Sequence, residues 1–123
     1  YAAAMQTIHR HGRRMAAFHR RYDVLLSPTL ATPPVKLGIH HMDGPDLAAW
    51  RDAMRTYSPF TSLFNMSGQP AMSVPLAWSE EGLPIGVMFA AGFGEEATLF
   101  RLAGQLEAAR PWMHRRPSLP PGT

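Results

Sequence analysis

The chain has no cysteine and only one lysine, Lys36, among its 123 residues. The first absence excludes disulfides and thiolate metal centres and suits a reducing compartment, so a cytoplasmic protein is expected. The second leaves one amine as a candidate base. It lies in Pro34-Val35-Lys36-Leu37-Gly38, an open loop context that reads as a solvated side chain. Long apolar runs are missing too: none approaches the ~20 residues that span a bilayer, and no membrane partner is expected. The early arginines follow rather than precede any apolar stretch, unlike a secretory signal. Basic residues are absent between Tyr57 and Thr98.

The net charge of +3 is therefore local. Arg10, Arg13, Arg14, Arg20 and Arg21 crowd the first quarter, and Arg115 and Arg116 stand near the end. A basic end on a neutral body suits nucleic acid, an acidic partner or a solvated helix face. Aromatic residues that could stack on bases are not interleaved with these arginines, so the solvated face is preferred over nucleic acid.

What is present describes a folded chain. Apolar residues make up 46% and charged residues 17%, unlike a disordered polyelectrolyte. Twelve prolines and ten glycines imply much irregular chain. The chain starts at Tyr1 and enters at once what reads as the middle of a helix, which suggests a piece of something longer.

Ala4, Ile8, Met15, Phe18 and Tyr22 recur at helical spacing, predicting a helix from Ala2 to Tyr22 with Gly12 as its weak point. Asp23-Val24-Leu25-Leu26-Ser27, stopped by Pro28, reads as a short buried strand. A long loop follows over residues 28 to 45. Asp46 is a suitable N-cap for a helix carrying Leu47, Trp50, Met54 and Tyr57, and Pro59 can open a short helix closed by Gly68. Strands are expected from Ala71 to Ala77 and from Leu83 to Ala91, joined by a turn at Ser79-Glu80-Glu81-Gly82. The second is continuously apolar, as expected where helices cover both faces of a sheet. A last helix spans Glu95 to Ala109, with Leu99, Leu102, Ala103 and Leu106 as its stripe and glutamates in its first turn. Three strands make a narrow sheet, which again points to part of a larger α/β layer.

Candidate chemistry is sparse. Ser67 and Ser73 lie in Asn65-Met66-Ser67-Gly68-Gln69-Pro70-Ala71-Met72-Ser73-Val74-Pro75, which is not a G-x-S-x-G elbow. Ser67-Gly68 reads better as a helix end, and Ser73 as one polar position in a strand. His9 and His11 are two apart on a helix and diverge, and His40, His41 and Asp43 lack a fourth ligand at suitable spacing, so no metal is expected.

The same stretch, extended from Phe64 to Pro75, resembles the C-terminal part of the amidase signature family, with its N-x-x-G-x-P-A-x-S-x-P pattern. Gly82-Leu83-Pro84-Ile85-Gly86 is similar to the strand that follows in that family. Glu95-Glu96-Ala97 through Glu107 to Pro111-Trp112 resembles its next helix and ending, and Tyr22-Asp23-Val24-Leu25-Leu26-Ser27-Pro28-Thr29 an upstream motif. The resemblance covers residues 22 to 112 in order.

It implies an α/β fold in which this chain is the C-terminal part of a mixed β-sheet flanked by helices, an incomplete domain. Residues 1–112 would belong to one such domain, and 113–123 would form a flexible proline-rich tail. The implied activity is amide hydrolysis by a serine nucleophile, bridged to a lysine by a second serine in a cis peptide. That machinery would lie upstream, so no catalytic residue is expected here: neither Ser67, Ser73 nor Lys36. The resemblance further implies that Thr29, Phe60, Thr61 and Phe64 line one wall of the acyl pocket, without any cofactor. Its partners would be a small-molecule amide, the N-terminal remainder of the enzyme and a second copy in a homodimer. Two alternatives stay open: the A subunit of a tRNA-dependent amidotransferase, and a basic nucleic-acid or partner-binding module carried by the arginine-rich helix.

Overall fold

A computed structural model describes residues 1–44 and 46–117. Its elements run α1 (Ala2–His19), β1 (Val24–Pro28), α2 (Leu47–Tyr57), α3 (Ser62–Ser67), β2 (Ala71–Trp78), β3 (Pro84–Ala91) and α4 (Glu96–Ala109). The three strands form one antiparallel sheet in the order β1-β3-β2, so the last strand in sequence is the central one.

Position in the sheet explains the composition of β3. Met88 and Ala90 face one side, where they join Met15 of α1 and Phe64 of α3, with Phe18, Leu25, Phe60 and Leu63 packed around them. Phe89 and Ala91 face the other, with Val74 of β2 and Leu99 of α4, and with Leu102, Leu106 and Trp112 alongside. Alternation sends successive side chains to opposite faces, so a central strand covered by helices on both sides needs apolar residues throughout. Ala90 and Ala91 are fully buried.

α4 begins at Glu96 with Glu95 as its N-cap, one residue later than expected, and two helix boundaries differ by more than that. α1 stops at His19 instead of Tyr22, where the Arg21 N–H takes the Phe18 carbonyl three residues back in place of that of Ala17, tightening the last turn. Tyr22 then leaves the stripe and stacks on Phe18 at 4.8 Å, half its surface still exposed. α3 begins at Ser62 instead of Pro59, because Pro59 to Thr61 form a turn first, in which the Ser58 and Thr61 hydroxyls bond at 2.8 Å. The expected caps are present. Asp46 accepts the N–H of Ala49 at 2.9 Å. Gly68 closes α3 at φ 73°, a left-handed conformation costly to a residue with a Cβ, and its N–H donates to the Phe64 carbonyl.

β2 shows how a strand accommodates proline. Pro75 has no N–H to give, and the pairing with β3 slips between Pro75 and Ala77 in a bulge. The hairpin closes through Ser79, whose N–H donates to Leu83 and whose hydroxyl accepts the Leu83 N–H.

Beyond α4, the Arg115 guanidinium lies over the Trp78 ring, 3.8 Å from its centroid. Of the tail expected over 113–123, residues 118–123 fall outside the described residues. Arg10, Arg13, Arg14, Arg20 and Arg21 are exposed on or just after α1. No described helix is long and apolar enough to cross a membrane.

Much apolar surface is left bare. α4 packs on β2 and β3 but leaves Leu26 of β1 65% exposed, and Phe93 and Phe100 are 83% and 78% exposed. The accessible surface is 9358 Å². A closed globule of this mass would expose about 6,600 Å², so the excess is large.

Candidate functional site

The polar residues of this sheet converge at one end of it. β1 runs into Thr29, whose N–H still donates to the Gly86 carbonyl at 3.2 Å, extending the ladder past Pro28. Ser73 pairs with Met88 across β2 and β3. The consequence is that the Thr29 and Ser73 hydroxyls, from strands on opposite sides of β3, meet at 2.6 Å. They meet above Gly86. A Cβ there would lie 2.5 Å from Ser73 Oγ and 2.7 Å from Thr29 Oγ1, closer than real contacts allow. The absence of a side chain at one central residue is what lets its two neighbours join.

This hydroxyl pair borders a cavity of about 320 Å³ between the sheet and α3. Thr61 and Phe64 line it from the helix side, Asn65 and Gln69 from the end of α3, and Met88 from the central strand. Phe64 is almost fully buried and anchors the wall in the cluster with Met15 and Met88. The surface is thus mixed: thioether and ring carbons with hydroxyls and carboxamides. It can hold a small molecule that has both an apolar body and hydrogen-bonding groups.

Of the four residues singled out in the sequence, Thr29, Thr61 and Phe64 are brought together on this cavity. Phe60 is not among its lining; it packs half-buried against the Met15–Phe64 cluster behind the wall. Ser73, read only as a polar position in a strand, is a member. Its signal was present in part, since a serine inside an apolar strand invites the question of what it meets. Strand register was needed to answer it.

The other candidates stand elsewhere. The Ser67 hydroxyl donates to Gln69 Oε1 at 2.8 Å, and Gln69 Nε2 reaches the Ala91 carbonyl at 3.4 Å. Ser67 therefore belongs to the turn that joins α3 to β2. His40 lays its ring on Tyr57, with centroids 4.7 Å apart, and its carbonyl accepts the Trp50 indole N–H. Among the described residues no three side chains of His, Asp or Glu gather as ligands of a metal would.

The sequence profile of the Amidase family matches residues 1–100. The chain belongs to the amidase family. This amidase segment is 44% identical over 109 residues to the protein named as amidase AmiC in Mycobacterium leprae, an alignment covering 89% of the chain and 23% of that protein. Among solved structures it superimposes on 6-aminohexanoate cyclic dimer hydrolase with a TM-score of 0.84 and 34% identity, covering 95% of this chain and 26% of the hydrolase. It also matches the A subunit of glutamyl-tRNA(Gln) amidotransferase from Thermotoga maritima, with a TM-score of 0.72 and 26% identity over 90% of this chain and 23% of that protein. The amidase segment thus spans about a quarter of the length of these relatives. The α/β expectation holds, with the described strands forming an antiparallel portion flanked by helices on both faces.

Proposed function

We propose that this segment is the C-terminal portion of a serine hydrolase that cleaves carboxylic amides, turning amide and water into acid and amine. Its part is structural and selective. It supplies three sheet strands and one wall of the acyl pocket, with Thr29, Thr61 and Phe64 on the wall and Phe60 supporting it from behind. The nucleophilic serine, the bridging serine and the lysine lie upstream. The observation that carries this reading is the cavity under α3, where residues far apart in an amidase-family sequence meet around a space of small-molecule size.

The chemistry divides accordingly. A serine attacks the amide carbonyl once its proton is drawn off through the second hydroxyl by the lysine, and backbone N–H groups hold the oxyanion. The acyl group must meanwhile be held against the nucleophile, and orientation of this kind is a large share of catalysis. Phe64 suits that task because its ring is immobilised by its own core packing. The protein is proposed to act in the cytoplasm as a homodimer on small-molecule amides. The comparisons do not favour a tRNA-dependent amidotransferase: the match to 6-aminohexanoate cyclic dimer hydrolase has the higher identity and TM-score. They give no support to a nucleic-acid module either.

The test uses the full-length reading frame that contains this segment. It should release aniline from simple anilides, whereas the segment alone should release none. Phe64→Ala in the full-length enzyme should raise KM several-fold. Hydrolysis by the isolated segment would sink the claim that catalysis lies upstream, and an inert full-length protein would sink the reading as a whole.

A further inference from the structure

The Thr29–Ser73 pair stands exposed beside the cavity and is not part of the buried core of the sheet. Leu25 and Ala90 pair on the same face and pack without polar atoms, and the strands around Gly86 are already joined by backbone bonds. At Gly86 the sheet instead forgoes a side chain to admit two hydroxyls that face a cavity. Two hydroxyls hydrogen-bonded to each other use one proton between them. The second proton remains, together with lone pairs on both oxygens. Either oxygen can be the internal donor, so the pair can present a donor or an acceptor to whatever enters.

We infer that Ser73, held in place by Thr29, is a specificity-determining residue that hydrogen-bonds a polar group on the acyl side of the substrate. The substrate class is then amides whose acyl part carries a hydroxyl, carbonyl or carboxamide, in preference to plain aliphatic acyl groups. This rests on the proposed reading of the cavity as an acyl pocket. Asn65 and Gln69 on the same cavity enlarge its polar portion, while Phe64 and Met88 accept the carbon chain. A site built around a hydroxyl discriminates against an analogue lacking one, because its own polar groups are then left unpaired. A single neutral hydrogen bond in a half-open cavity corresponds to roughly a 3- to 10-fold preference.

The experiment compares the anilide of pentanoic acid with that of 3-hydroxypentanoic acid on the full-length enzyme. The wild type should favour the hydroxy substrate in kcat/KM, chiefly through KM. Ser73→Ala should lower the ratio of the two kcat/KM values by roughly 3- to 10-fold, with the hydroxy substrate losing the more. Thr29→Ser, which keeps the pair, should retain it. A purely structural tie would move both substrates alike and lower Tm without altering their ratio; that outcome overturns the inference and leaves amide hydrolysis standing. If neither anilide is turned over, the proposed function fails on its own terms, and calorimetric binding of the two anilides reads the same ratio. Equal or absent binding of the two then overturns this inference as well.

Discussion

At Gly86 the space that a methyl group would need is already taken by the oxygens of Thr29 and Ser73. Gly86→Ala must push the hydroxyl pair apart or displace the central strand, and overpacking of this kind costs typically about 1–3 kcal/mol. Urea unfolding of the full-length enzyme should show the loss, and unchanged stability would contradict the close approach. Gly104 is the contrasting case. It sits within α4 with nothing within 4 Å of where a Cβ would be. Gly104→Ala should therefore stabilise by about 0.5–1 kcal/mol, because alanine loses less backbone freedom in a helix. One chemical change at two glycines should thus have opposite signs: in β3 the methyl would meet two oxygens, whereas in α4 it meets open space and favours the helix.

Elements show where local sequence controls the outcome. α2 starts where it does because the Asp46 carboxylate takes up the Ala49 N–H, one of the four donors that a helix start leaves unpaired. Asp46→Ala should cost about 1 kcal/mol, read by the same unfolding experiment. Asp46→Asn should restore most of it. In the β2–β3 turn, Glu81 ionises below the ordinary glutamate value because the Ser79 side chain, and next its own backbone, hydrogen-bond the carboxylate. A carboxyl whose folded pKa is depressed adds stability that is fully present above its unfolded pKa and fades as the pH falls through the folded one. The carbon-detected titration midpoint of Glu81 should accordingly lie lower in the folded protein than in the urea-unfolded chain. Ser79→Ala should move it back up. A midpoint identical in both states would show that the turn does not hold the carboxylate.

For the whole molecule, the exposed area is the telling quantity. At 9358 Å² the surface exceeds by about 40% what a closed globule of this mass presents. The bare side chains include Leu26, Phe93 and Phe100. Apolar surface of this extent marks a place where other protein packs. Expressed alone, the segment should bind a hydrophobic dye such as ANS and sediment above its own 13.6 kDa. A dye-silent monomer would refute the view that these faces are meant to be covered. The proposed function is consistent with this, since a pocket needs more than one wall.

The sequence by itself determined the kind and order of nearly every element, because helix and strand periods, caps and turn residues act over four or five positions. Asp46 as an N-cap, Gly68 as a helix stop and Glu80-Glu81-Gly82 as a turn are local facts and were legible. So were the motifs that mark the amidase family, since they too are short runs in fixed order. Boundaries were less so: α1 ends early where the Arg21 N–H bonds three residues back, to Phe18, and tightens the last turn. Only the tertiary structure decided that β3 lies between β1 and β2, that Thr29, Thr61 and Phe64 share a cavity that Phe60 does not line, and that Ser73 meets Thr29 across Gly86. Thr29 and Ser73 are 44 residues apart. Nothing in the local period of either strand encodes the register that joins them; it follows from which apolar faces were buried against α1, α3 and α4.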